Sequence, residues 1–200
     1  MGERIASTVW GVNTHRPVWR MKWNNMNRGV LLITGVPGVG KTTVLRKVKG
    51  LLAARTIRGF LTDEIRSQRG ERLGFQIETL DGQQARLAGV DLRSLNRVGR
   101  YGVDVEALDA LAVPALALDE GAVYLIDEIG KMECLSGAFT DAVARLLDSA
   151  CPVIATVAQR GGGFIAEVKR HPRVEVWELT RANRDSMPGR IVSWLAGERR

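Results

Sequence analysis

Cysteine, histidine and long apolar runs are all scarce in this chain of 200 residues, and each shortage removes a class of protein. The only cysteines, Cys134 and Cys151, show no metal-binding spacing and are too few for a disulfide framework. A pair of inert, reduced thiols in a cytoplasmic protein is the expectation. His15 and His171 stand alone, the latter just before Pro172, so neither belongs to a ligand set. The apolar stretch 122–126 falls far short of the roughly 20 residues a membrane-spanning helix needs, and no membrane partner is expected. Repeats, low-complexity blocks and an internal linker are all missing from residues 29–200.

Acids are nearly missing from residues 1–28, where Arg4, Arg16, Arg20, Lys22 and Arg28 face Glu3 alone. That segment holds more than half of the net charge of +7, so the basicity is mainly a property of the N-terminal stretch and not of the rest. It also carries Trp10, Trp19 and Trp23, yet it has no long apolar core of a secretory signal and no clear amphipathic periodicity. Residues 1–28 read as a basic extension, disordered or loosely packed, with Met26 an alternative natural start. Residues 29–200, at an ordinary apolar fraction of 45% for the chain, suit one α/β domain with a sizeable core.

What is present begins with Gly35, Val36, Pro37, Gly38, Val39, Gly40, Lys41 and Thr42, followed by Thr43. The pattern G-x-x-x-x-G-K-[ST] describes a loop whose backbone N–H groups wrap a chain of phosphates. Glycine is needed where backbone must approach phosphate oxygen. Lys41 can reach the β- and γ-phosphates, and the Thr42 hydroxyl can hold Mg²⁺. The flanks agree: residues 29–34 read as a strand buried on both faces, and Val44, Leu45, Val48 and Leu52 recur at helical spacing. The loop therefore sits at a strand-to-helix turn, where the helix N-terminus attracts anions.

A second strand, 122–126, runs into Asp127 and Glu128. Beside a phosphate loop, the first acid suits Mg²⁺ and the second can orient, or take a proton from, an attacking water. Between the two anchors, residues 58–62 and 73–80 read as strands of a projecting β-hairpin, with Gly70 in its turn and Asp81-Gly82 in the next. Arg66, Arg69 and Arg72 cluster there; one of them over the phosphates is one reading, a solvated basic hairpin the other. Farther on, Leu108 and Leu111 suggest a helix closed before Pro114, with Pro114 opening another. Ser136 suits an N-cap for a helix carrying Phe139, Val143, Leu146 and Leu147. Residues 152–157 are a buried strand in which Thr156 either senses phosphate or water or satisfies local backbone. Residues 161–163 read as a flexible glycine loop, 174–179 as a last strand and 190–196 as a helix.

Four segments resemble the small nucleoside-triphosphatase family known from thermophilic microbes and, in animals, as the cancer-related nucleoside-triphosphatase: residues 35–43 (GVPGVGKTT), 59–66 (GFLTDEIR), 127–133 (DEIGKME) and 179–185 (LTRANRD). The resemblance implies an α/β phosphate-loop fold of three layers, mainly parallel sheet with helices on both faces and an inserted antiparallel hairpin. It further implies Mg²⁺-dependent hydrolysis of ATP, GTP, CTP and UTP to diphosphates with broad base tolerance. By matching position it assigns Lys41 and Thr42 to phosphate and metal, Glu128 to water activation, and Asn183, Arg184 and Asp185 to the neighbourhood of the base. Cys134 departs from the apolar residue expected there.

Two other activities fit the same motifs. A kinase would place an acceptor hydroxyl of a nucleoside, nucleotide or polynucleotide where water stands. A nucleotide-gated module binding RNA or DNA would use the basic extension and hairpin, although the chain carries no recognised nucleic-acid motif. It carries no Asn-Lys-x-Asp reader of guanine either, which disfavours a dedicated GTP switch.

Overall fold

Residues 30–33 are fully buried, and their side chains alternate between two cores. Val30 and Leu32 enter one core, Leu31 and Ile33 the other, as a continuous apolar strand in a covered sheet requires. In the computed structural model, which describes residues 29–197, this run is strand β1 (Val30–Thr34). The chain continues through α1 (Lys41–Leu51), β2 (Ile57–Arg66), β3 (Arg72–Thr79), β4 (Gln84–Gly89), β5 (Arg97–Val98), β6 (Tyr101–Val103) and α2 (Val105–Ala115). Then come β7 (Val123–Ile129), a short 3-10 helix (Glu133–Leu135), α3 (Gly137–Asp148), β8 (Val153–Val157), α4 (Phe164–Arg170), β9 (Val174–Glu178) and α5 (Met187–Leu195). The expected extension at 1–28 lies outside the described residues.

The strands form one sheet in the order β5-β6-β4-β3-β2-β7-β8-β1-β9. From β2 to β9 all neighbours are parallel; from β2 outwards to β5 all are antiparallel. Helices α2, α3 and α4 cover one face through Leu108, Phe139, Val143, Leu146, Ile165 and Val168. The other face is covered by α1 and α5 through Val44, Leu45, Val48, Met187, Ile191 and Leu195. The connection after β1 thus lies on one face and that after β8 on the other. This places a crevice at the carboxyl ends of adjacent parallel strands, where open α/β sheets take their ligands. No helix among the described residues is long and apolar enough to cross a membrane.

Two expectations need correction, and one helix goes unread in the sequence. The projecting hairpin is the start of a longer antiparallel sheet, since β4, β6 and β5 continue it beyond β3. Leu87, Ala88 and Val103 of that extension are buried beneath α2, but strands of six, three and two residues leave little alternation to read. Pro114 does not open a new helix; it lies in the last turn of α2. Ala110, whose carbonyl loses its partner there, is exposed and open to water, so the helix tolerates the ring. Finally, α4 follows directly on the triple glycine, and its seven residues bury only Ile165 and Val168.

Candidate active site

The loop from β1 to α1 takes its shape from glycine. Gly38 (φ +75°) and Gly40 (φ +109°) adopt left-handed backbone that a side chain would strain. At Gly35 a Cβ would stand 2.6 Å from the Leu179 carbonyl oxygen, so only glycine lets the loop run against the turn after β9. The Leu179 N–H donates to the Thr34 carbonyl at 2.7 Å and fixes that approach. Val39 is buried in the α1-side core, whereas Val36, Pro37 and Gly38 are exposed; one side chain anchors a loop whose crest faces solvent. Lys41 and Thr42 are half-buried in the first turn of α1, and Thr43 is exposed. That turn contains no acid, so the positive pole of the helix is not neutralised. Lys41 Nζ donates to the Gly35 carbonyl at 3.2 Å, which sets the ammonium within the loop.

Asp127 follows the last β2–β7 pair, Phe60 with Ile126, and the β7–β8 register breaks between Ile126 and Ile129. Such a break re-aims side chains away from the regular pleat. The Asp127–Glu128 peptide is cis. Asp127 is 2% exposed and held from three sides. Thr156 Oγ1 of β8 donates to its Oδ1 at 2.8 Å, the Thr62 N–H of β2 approaches Oδ2 at 3.4 Å, and the Thr42 hydroxyl of α1 faces the same carboxylate closely enough to act against the rise in its pKa. Thr62 Oγ1 also donates to the Asp127 backbone carbonyl. Burial pushes the Asp127 pKa up, and the bonds from Thr42, Thr156 and Thr62 oppose it, as does the Lys41 charge. Glu128 is half-buried beside it; burial raises its pKa, Lys41 opposes, and the Asp127 charge adds to the rise.

The loop, Lys41, Thr42, Asp127, Glu128 and Thr156 therefore converge at the carboxyl ends of β1, β7 and β8. Other expected residues stand elsewhere or do different work. Arg66, expected as a contact over the phosphates, is tied into the hairpin: it donates to the Gly70 carbonyl at 2.7 Å and pairs with Glu64. Thr156 bonds Asp127 rather than local backbone. Asn183 accepts from the Thr180 N–H at 2.8 Å and donates to the Glu178 carbonyl at 2.9 Å, so its amide closes the β9–α5 turn beside Gly35. Arg184 is exposed on that turn, 3.9 Å from Asp185. Cys134 and Cys151 are free, and burial raises the Cys134 thiol to about 11, far from a reactive thiolate.

Sequence reasoning passed over Thr62 and Glu133. Thr62 reads as one more strand residue, and only the β2–β7 register brings it to Asp127. Glu133 sits in the 127–133 segment and is 5% exposed, an acid where a loop would be expected to show it to water.

A glycine-rich loop with its lysine, crossed by a hydroxyl–carboxylate contact from the next strand but one, defines a phosphate-loop nucleotide-binding protein. Comparison with known proteins narrows the class. The family described as NTPase matches residues 30–192, and the chain belongs to it. Nucleoside-triphosphatase THEP1 of Thermotoga sp. (strain RQ2) is 42% identical over 167 residues, covering 82% of this chain and 94% of the relative. The mouse cancer-related nucleoside-triphosphatase homolog is 36% identical over 191 residues, 87% of this chain and 100% of the relative. The crystal structure of THEP1 from the hyperthermophile Aquifex aeolicus matches with a TM-score of 0.76 at 38% identity, over 83% of this chain and 98% of that one.

Proposed function

We propose that this member of the family hydrolyses nucleoside 5′-triphosphates to diphosphate and phosphate, with Mg²⁺ and broad base tolerance. The carrying observation is the junction of Thr42 with Asp127 at the mouth of the loop, with Glu128 next to it. Loop N–H groups, the α1 N-terminus and Lys41 grip the polyphosphate. The Thr42 hydroxyl and the Asp127 carboxylate are hard oxygen donors that fit Mg²⁺, and a cation there would relieve the burial of Asp127. Held by Thr42 and Asp127, the ion would supply positive charge against the negative charge of the phosphates.

Glu128 orients water in line with the γ-phosphorus and accepts its proton as the new P–O bond forms. The bond from the γ-phosphorus to the bridging oxygen breaks, and the charge left on the diphosphate is held by Lys41 and the loop amides. Thr156 keeps Asp127 aimed at the junction. Broad base tolerance is supported by Asn183, whose amide is tied to its own turn through the Thr180 N–H and the Glu178 carbonyl. We place the protein in the cytoplasm, with residues 1–28 forming a separate basic extension to the 29–200 domain.

Phosphate release from ATP, GTP, CTP and UTP with Mg²⁺ tests the reading. Turnover of all four within one order of magnitude is expected. Glu128→Gln should bind nucleotide yet lose at least about a hundredfold in kcat, the low end of a positioned general base. Transfer to an added nucleoside or nucleotide faster than phosphate release would instead make the protein a kinase.

A further inference from the structure

Glu133 is used by nothing above, yet it is among the least exposed acids of the described chain. It opens the 3-10 helix after β7, and its side chain turns back towards the strand. Gly130 marks the place where it arrives. A Cβ built on Gly130 would stand 2.9 Å from Glu133 Oε2, 3.3 Å from Glu128 Cγ and 3.4 Å from Glu128 Cδ. Both carboxyl groups thus border one point that stays open because residue 130 has no side chain. Gly130 is not among the residues with positive φ, so its backbone does not call for glycine. The requirement is the room between two acids.

We propose that Glu133 is a positioning residue for hydrolysis, holding the Glu128 side chain in its water-facing pose across the gap at Gly130. The proposal rests on the reading of Glu128 given above. The Glu133 carboxyl group lies at the bend after β7, where the backbone N–H groups of Glu133 and Gly130 act against the rise in its pKa. Burial, reinforced by the charges of Glu128 and Asp127, pushes its pKa up to about 8, so the neutral acid prevails at neutral pH. A neutral carboxyl group adds no charge repulsion beside Glu128, whose side chain borders the same point across Gly130. An apolar side chain would fill this position without the cost of burying an acid among acids, so packing alone does not account for it. The arrangement is a carboxyl pair with divided roles: Glu128 meets the water and Glu133 fixes where Glu128 stands.

Three variants test this by kcat, KM, nucleotide affinity from calorimetry, and melting temperature. Glu133→Ala removes the support, and Gly130→Ala inserts a methyl group between the two acids. Each should lower kcat by about ten- to a hundredfold, as a small misplacement near the chemistry does, with nucleotide affinity held within about threefold. Glu133→Gln keeps a donor and an accepting oxygen in the same shape and should retain kcat within about threefold. Because Glu133 acts through Glu128, adding Glu133→Ala to Glu128→Gln should lower kcat no further.

Wild-type kcat in folded Glu133→Ala overturns the proposal, and so does a loss of nucleotide affinity in step with kcat, which marks a structural role. If Glu133→Ala fails to fold, Gly130→Ala decides: wild-type kcat there overturns the proposal, and a selective loss of kcat supports it. Wild-type turnover of Glu128→Gln alone would defeat the underlying reading of Glu128. Normal Glu133→Ala beside a stalled Glu128→Gln would defeat only this inference.

Discussion

At the scale of single residues, the site sets one cation against buried acids. Lys41 opposes the rise in pKa of both Asp127 and Glu128 while also facing the loop. Lys41→Ala should therefore lose nucleotide affinity by at least about a hundredfold, the scale of a lost charge-assisted contact in a desolvated site, measured by calorimetry. Glu133 supplies a prediction about pH. Its carboxyl group is raised from 4.5 to about 8 in the folded protein, so between those values the fold keeps a proton that the unfolded chain releases. Stability from this group is therefore unaffected below about pH 4.5, falls as pH rises towards about 8, and levels off above. Asp127 and Glu128 bend the profile the same way, but they are shared by wild type and Glu133→Gln. The variant should gain on wild type by up to about 1.4 kcal/mol per pH unit across that window. Urea melts at pH 5, 6.5 and 8 measure it; a gap that stays constant would mean that Glu133 does not titrate there.

At the scale of elements, the parallel half of the fold was legible and the antiparallel half much less so. Residues 30–33, 122–126 and 153–155 are unbroken apolar runs because both faces of their strands are covered, and such a run declares itself. The glycine loop is legible for a similar reason, since backbone packed on phosphate leaves little choice of residue. Strands β4, β5 and β6 bury one face unevenly and are short, so neither period nor length announces them. Of the site, Lys41, Thr42, Asp127 and Glu128 could be read from spacing, whereas Thr62 and Glu133 depend on strand register and on a bend after β7. Arg66 looked available because sequence does not show that it turns to Glu64, two residues back on β2, and to the Gly70 carbonyl in the turn. Helix α3 shows a boundary that was legible: Ser136 Oγ accepts from the Phe139 N–H at 2.9 Å, and the hydroxyl also bonds Asp109 of α2. The helix it starts packs Phe139 edge-on against Phe60 of β2, ring centroids 6.0 Å apart, two residues before Thr62. Ser136→Ala should cost about 1–2 kcal/mol in urea unfolding, and Ser136→Thr should recover most of it.

At the scale of the molecule, the proposed site is assembled from pieces far apart in the chain. The loop at 35–42, Thr62, Asp127, Thr156 and the turn at 179–183 meet only because β1 is laid between β8 and β9, and β7 between β2 and β8. An unfolded chain cannot present that set together, so a polyphosphate binds the folded form alone and stabilises it by mass action. At a hundred times its dissociation constant, a slowly hydrolysed triphosphate with Mg²⁺ should add about 2.7 kcal/mol. For a domain of this size that corresponds to a rise in melting temperature of roughly 5–10 °C. The rise should grow with the logarithm of ligand concentration and be similar for adenine, guanine, cytosine and uracil triphosphates, since Asn183 is engaged with its own turn. Lys41→Ala should abolish it at the same concentrations. Ser136→Ala, whose cap lies away from the loop, should start from a lower melting temperature and show the full increment. A ligand shift that shrank with the loss of a remote cap would mean that the polyphosphate does not tie these strands together as proposed.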